Sequence, residues 1–132
     1  MSKKFNTQFL TPDGPLFEGE TVSVTLPGSR GSFQILYDHA PIVSSLGVGK
    51  IVIQQEGNEE TIYAVSGGFV EMNKNQLTIL AERAEEKNSI DLEEARMFRD
   101  EIKSRLKNLK TGRDEFVIEL EVAENRLKIA EL

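Results

Sequence analysis

Phe69-Val70-Glu71-Met72-Asn73-Lys74-Asn75-Gln76-Leu77-Thr78-Ile79-Leu80 is the stretch on which the reading of the first half of the chain turns. Two short apolar, β-prone runs bracket Asn73-Lys74-Asn75, whose asparagines tolerate the left-handed backbone of a tight loop, so the stretch predicts a β-hairpin. Moving towards the N-terminus, Lys50-Ile51-Val52-Ile53-Gln54 and Thr61-Ile62-Tyr63-Ala64-Val65 flank Glu56-Gly57-Asn58 in the same way, and Thr21 to Leu26 alternates with period two. Turn signals at Pro12-Asp13-Gly14, Pro27-Gly28 and Gly47-Val48-Gly49 recur at the spacing of an all-β sandwich or barrel.

Towards the C-terminus the period changes. From Glu82 onward glycine occurs only at Gly112 and proline is absent. Leu92, Ala95, Phe98, Ile102, Leu106 and Leu109 recur at three and four, one apolar stripe along an otherwise charged helix. Asp91 and Glu94 form a cap pair at its start, and Thr111-Gly112 is expected to stop it with glycine as a left-handed cap. Phe116, Leu120, Ala123, Leu127 and Ala130 then draw a second stripe, and two such helices joined by a short loop make an antiparallel hairpin. The expected organisation is a β-sandwich over residues 1–84 and an α-helical hairpin over residues 85–132. Two narrow stripes form a small core, so the hairpin requires docking on the sandwich or on a partner to be stable.

The 132 residues, 29% of them charged with a net charge of -6, describe an ordinary globular chain with room for one core and an appendage. No apolar run approaches the roughly 20 residues of a membrane-spanning helix, and Met1-Ser2-Lys3-Lys4 lacks the apolar stretch of a signal peptide, which makes the cytosol the expected compartment. Absence of cysteine removes disulfides, thiolate nucleophiles and Cys-type metal sites. The acidic balance argues against nucleic acid; the seven basic residues from Arg96 to Arg113 interleave with acids as on a solvated helix.

No enzyme constellation emerges. His39, the single histidine, stands beside Asp38, but adjacent strand residues point to opposite faces and neither a cysteine nor a second histidine is placed nearby to complete a triad. Gly28-Ser29-Arg30-Gly31 and Ser66-Gly67-Gly68 are followed by β-like residues, whereas a phosphate cradle requires a helix N-terminus. Glu56 to Glu60 and Glu82 to Glu86 lack the calcium-loop pattern, so no metal site is expected. The residues by themselves describe a binding or assembly module.

Read end to end, Leu10-Thr11-Pro12 through Leu16-Phe17-Glu18-Gly19, the block Gly31-Ser32-Phe33-Gln34-Ile35-Leu36-Tyr37-Asp38-His39-Ala40-Pro41, the block Val65-Ser66-Gly67-Gly68-Phe69-Val70-Glu71, and Asp91-Leu92-Glu93-Glu94-Ala95 resemble the epsilon subunit of F-type ATP synthase over essentially the whole chain. The resemblance implies a non-catalytic rotor part of the central stalk, coupling proton flow through the c-ring to ATP synthesis. It implies the gamma subunit and c-ring as partners, with Ser29, Arg30, Gly31, His39, Ala40, Pro41 and Ile42 in the interface loops, and contact with the alpha and beta subunits through the hairpin. Membrane association would come only through the complex, at the cytoplasmic face of a bacterial plasma membrane or, alternatively, the stromal face of a plastid thylakoid.

In the family the hairpin regulates ATP hydrolysis, and some relatives bind ATP in the folded hairpin through an Ile/Leu-Asp-x-x-Arg-Ala motif. The matching positions here are Asp91, Arg96 and Arg126, with Glu94 where the motif's arginine belongs when Ile90-Asp91 is aligned. Residues 114–132 hold six acids against Arg126 and Lys128, so inhibition through the second helix is expected to be weak, or to run through the basic first helix instead; with Glu94 in the arginine's place and Val122 one turn before Arg126, ATP binding is expected to be weak or absent, and no cofactor is expected. The reading from a different class is a small carbohydrate- or ligand-binding β-sandwich with a helical tail.

Overall fold

The computed structural model describes residues 3–132; Met1 and Ser2, part of the N-terminal reading above, lie outside the described residues. Seven strands, β1 (Phe5–Thr11), β2 (Gly14–Thr21), β3 (Ser23–Gly28), β4 (Gly31–Ile35), β5 (Ile42–Gln54), β6 (Glu60–Asn73) and β7 (Gln76–Glu86), precede a 3-10 turn at Lys87–Ser89. Helices α1 (Leu92–Asn108) and α2 (Arg113–Ala130) follow. The strands are hydrogen-bonded in the order β2-β1-β7-β6-β5-β3-β4. Every neighbouring pair is antiparallel except β1 with β7.

One apolar cluster takes side chains from all seven strands. Phe17 of edge strand β2 and Ile35 of edge strand β4 pack on the same cluster as Phe9, Ile51, Val70 and Ile79, so the sheet is folded over into a β-sandwich. Phe9 meets Tyr63 edge to face at 5.0 Å. The buried Thr7 and Thr21 hydroxyls bond each other at 2.7 Å, and Thr21 donates on to the Phe5 carbonyl, so neither leaves an orphan polar atom.

The long strands change the parity of their inward residues part-way along. In β6, Tyr63 and Val65 face the core before Gly67-Gly68, but Val70 and Met72 do so after it; in β5, Leu46 faces the core before Gly47, and Ile51 and Ile53 do so after Gly49. Gly67 and Gly68 have φ of 76° and 128°, and a Cβ on Gly68 would sit 2.1 Å from the Leu80 carbonyl oxygen. Only glycine lets β6 change parity while keeping its approach to β7. The sequence reading made Gly47-Val48-Gly49 a turn; it lies inside the continuous strand β5, at this parity change. Pro27-Gly28, also read as a turn, ends β3, and the turn itself is Ser29-Arg30. The missing amide of Pro27 is tolerated because the β3–β5 register is interrupted between Thr25 and Gly28.

The parity change divides the outer surface of β5–β7 into two areas. Near the start of β6, Ala64 and Ile62 turn outward and receive Ile90, Ala95, Leu127 and Ile129 from the helical end of the chain. Beyond the glycines, Phe69 faces outward uncovered. The helices also share a small cluster of their own, Ile102, Leu106 and Ala123 with Phe116 and Leu120.

The Asp91 carboxylate accepts from the Glu94 amide at 3.1 Å, as the cap pair requires. Gly112 does not cap α1, which ends at Asn108; with φ of 69° it is the residue preceding α2, and Arg113 closes α1 instead by donating to the Leu106 and Leu109 carbonyls. Phe98, placed in the buried stripe by its spacing, is 43% exposed, because α2 covers only the Ala95–Ile102–Leu106 line.

Candidate functional site

The sequence-predicted interface residues lie at the end of the sandwich away from the hairpin. Ser29 and Arg30 form the exposed β3–β4 turn, anchored where the Ser29 amide donates to the Ser45 carbonyl at 3.2 Å and the two serine hydroxyls bond each other. Ala40 and Pro41 are exposed, and His39 and Ile42 are half-buried at the entry to β5. Ile42 and Ser45 are three residues apart on one strand, so the two loops are set roughly 10 Å apart along β5.

Asp38 and His39 form no dyad. Asp38 sits in a turn with φ of 60°, not on a strand, and its amide donates to Asn75 Oδ1 at 2.7 Å while its carboxylate accepts from Asn75 Nδ2 at 2.9 Å. His39 Nδ1 lies 2.8 Å from the Ala40 carbonyl oxygen, to which it donates. Asn75 thereby ties the loop carrying His39-Ala40-Pro41 to the β6–β7 turn. In that turn the left-handed positions are Lys74 and Asn75, with Asn73 closing β6.

Sequence reasoning missed an apolar groove on the outer face. Leu80 is register partner of both Phe69 and Leu10, and with Pro12 these side chains line a groove in which Phe69 is 60% and Leu80 51% exposed. Val43 adjoins it on β5 at 71% exposed. The signal was present: Phe69-Val70 and Ile79-Leu80 are adjacent apolar pairs, and strict alternation can bury only one member of each.

The second region is the cleft between hairpin and sandwich, about 360 Å³. Arg126 of α2 is held there by Glu85 of β7, through Nε and through Nη2 at 3.4 Å, and its Nη1 lies 3.4 Å from Glu94 of α1. Arg83 meets Glu119 with both Nη nitrogens, at 3.3 and 2.9 Å. The Glu85 hydrogen bond holds the Arg126 guanidinium still further above its usual range, and that of Arg83 holds the Glu119 carboxyl below the usual carboxylate range. Asn125 adds a bond to the Gly49 carbonyl at 2.9 Å.

Of the three candidate nucleotide ligands, only Arg126 lines this cleft. Asp91 is committed to the α1 cap and Arg96 to Glu93 at 3.0 Å. The cleft offers an entering polyphosphate five carboxylates, Asp13, Glu82, Glu85, Glu94 and Glu119, against two arginines already paired. The residues present do not fit a nucleotide. Among the described residues there is no group of acids and histidine placed to hold a metal ion, and no helix is long and apolar enough to cross a membrane.

The sequence profile of the ATP synthase, delta/epsilon chain, beta-sandwich domain matches residues 4–87, the sandwich just described. The ATP synthase epsilon chain of Halalkalibacterium halodurans is 39% identical over 124 residues, covering 92% of this chain and 92% of that one. The chain belongs to the ATP synthase epsilon chain family. The epsilon chain of Alkalihalophilus pseudofirmus is 40% identical over 107 residues, covering 81% and 80%. In solved structures the fold recurs in the Euglena gracilis mitochondrial ATP synthase OSCP/F1/c-ring assembly, with TM-score 0.86 and 22% identity over 98% of this chain and 82% of that one. It recurs again in the Tetrahymena thermophila mitochondrial ATP synthase central stalk and c-ring, with TM-score 0.64 and 18% identity over 98% of both chains. Membership in the epsilon family leaves the carbohydrate-binding alternative without support.

Proposed function

We propose that this epsilon-family chain is a non-catalytic rotor subunit of the ATP synthase central stalk, with its sandwich as the part that grips and its hairpin as the part that regulates. The observation that carries the reading is the two-ended outer surface. One end presents anchored polar loops and, beside them, an uncovered apolar groove; the other end is covered by the chain's own hairpin. A part that transmits torque needs firm attachment on one side and rigid loops on another, and this arrangement supplies both.

In this reading Ser29, Arg30, Gly31, His39, Ala40, Pro41 and Ile42 face the polar loops of the c-ring. Arg30 stands alone as a cation in its exposed turn, which suits a polar or acidic counterpart. The Leu10–Phe69–Leu80 groove with Val43 seats the gamma subunit, because stable attachment of a rotating part calls for buried apolar area. The sandwich and the hairpin act as separate units, divided after β7 ends at Glu86 and not at residue 84, and the alpha and beta subunits meet the hairpin only when it leaves the sandwich. The chain works at the cytoplasmic face of the bacterial plasma membrane, held there by the complex, in keeping with its bacterial relatives.

Reconstitution of the ATP synthase with the full chain, with a chain ending at Asn88, and with no epsilon tests the reading. Full chain and truncated chain both restore assembly and proton-coupled ATP synthesis. Failure of the full chain to assemble with gamma and the c-ring overturns the proposal.

A further inference from the structure

We infer that the folded hairpin is held by an arginine–carboxylate latch internal to the chain, so that its docked state needs no bound nucleotide or other ligand. The inference concerns regulation of the cleft just described, yet it is tested on the isolated chain and stands or falls apart from assembly into an ATP synthase.

Three features converge. The apolar contact between hairpin and sandwich is one small cluster, in which Ala64 and Ile62 receive Ile90, Ala95, Leu127 and Ile129. Polar contacts therefore add to how firmly the hairpin stays down. Those that cross the boundary are directional: Arg83 to Glu119 with both Nη nitrogens, Arg126 to Glu85 in a fork, and Asn125 to the Gly49 carbonyl. Finally, Arg126 joins three elements at once, since Glu85 belongs to β7, Glu94 to α1 and Arg126 to α2. Its side chain is only 20% exposed, so the fork to Glu85 is less screened than the exposed Arg126–Glu94 and Arg83–Glu119 contacts, which molar salt weakens first.

The geometry also ranks the members of the latch. Neutralising Arg126 leaves Glu85 and Glu94 facing the same space unpaired, adding repulsion to the lost attraction. Neutralising Glu94 removes the longer of the two contacts and leaves the Arg126–Glu85 fork intact. An anionic ligand entering the cleft has to displace two carboxylates to reach Arg126. Release of the latch uncovers Ile62 and Ala64 on the sandwich and Leu127 and Ile129 on α2. Ionic strength, or a strongly basic surface competing for Glu85 and Glu94, is therefore the natural trigger.

Amide hydrogen exchange of residues 113–130 in the intact chain, measured with and without salt and with and without millimolar ATP, tests this. In the unsubstituted chain without nucleotide these amides are protected, molar salt lowers the protection, and ATP leaves it unchanged. Arg126→Gln raises exchange across α2 by ~10-fold or more, Glu85→Gln by less and Glu94→Gln least, while amides of the β5–β6 core keep their protection in all three. The charge swap Arg83→Glu with Glu119→Arg recovers protection that either single change loses, an outcome that a merely structural arginine does not produce. Unchanged exchange and unchanged salt response in Arg126→Gln overturn the latch and assign docking to the apolar contact alone. Protection by ATP in the unsubstituted chain overturns ligand independence.

Discussion

Asn75 and Asp38, 37 positions apart in the chain, exchange a reciprocal pair of hydrogen bonds at 2.7 and 2.9 Å, and both have φ of 60°. Two turns that would otherwise move independently are fastened to each other, and the His39-Ala40-Pro41 loop takes its position from that fastening. Asn75→Gly keeps a residue suited to the left-handed backbone while removing both bonds. Each exposed bond contributes about 0.5–1.5 kcal/mol, so a loss of roughly 1–2 kcal/mol is expected, concentrated in the loop. Exchange of the amides of residues 36–40 quickens with little change elsewhere, and ATP synthesis by the reconstituted enzyme falls more than assembly does.

Gly68→Ala places a methyl group 2.1 Å from the Leu80 carbonyl oxygen and 2.8 Å from Ala81 Cα, at φ of 128°. Backbone on both sides blocks relief, so destabilisation of about 3 kcal/mol or more is expected in urea melts. Gly31→Ala has φ of 133° but nothing within 4 Å of the added carbon, and suffers only the conformational strain. The difference between the two variants isolates the close approach of β6 to β7.

Leu127→Ala removes one of the two large α2 side chains from the small cluster over Ala64, where it is 4% exposed. Truncation of a buried leucine costs about 2–5 kcal/mol, more than an isolated two-helix hairpin can lose. Limited proteolysis should cut between residues 88 and 132 in this variant while the sandwich survives intact.

Phe69→Asp tests the apolar groove. The side chain is 60% exposed and outside the core, so the thermal midpoint of the isolated chain shifts little. A carboxylate set into a buried apolar contact is costly, so affinity for the gamma subunit is expected to fall by two orders of magnitude or about 3 kcal/mol. Unchanged affinity would move the gamma contact elsewhere on the sandwich.

Acidification loosens the hairpin before the sandwich. Arg83 holds the Glu119 carboxyl below its ordinary value of 4.5, so the pair stabilises the docked state fully above that value and the contribution is lost as pH falls through the lower, docked-state value. Lys4 and Glu56, 2.6 Å apart on the sandwich, behave likewise on the acid side, since Glu56 is also held low. Lys4 is held high, so that pair is lost again above pH 10.5. Exchange protection of α2 followed from pH 6 down to pH 3 should drop, and Glu119→Gln should flatten the profile.

Period and turn chemistry alone carried the main architecture: alternation up to Leu80, three-and-four spacing after Leu92, and the cap at Asp91 are local properties, and each is visible in the residues that express it. The proposed interface loops rest on the resemblance alone, as contiguous motifs. Three things were decided only by tertiary structure. Gly47-Val48-Gly49 looks like a turn in isolation, yet pairing of its neighbours with β6 carries β5 straight through it, because long-range ladder bonds outweigh a local preference. Phe98 fits the helical stripe by spacing, but which part of a stripe is covered depends on where the partner helix crosses. Glu85, Glu94 and Arg126 are charges on three separate elements with nothing in sequence to associate them; only the docking of α2 onto β7 brings the cation between its two carboxylates, since electrostatic pairing depends on distance in space and not on separation along the chain.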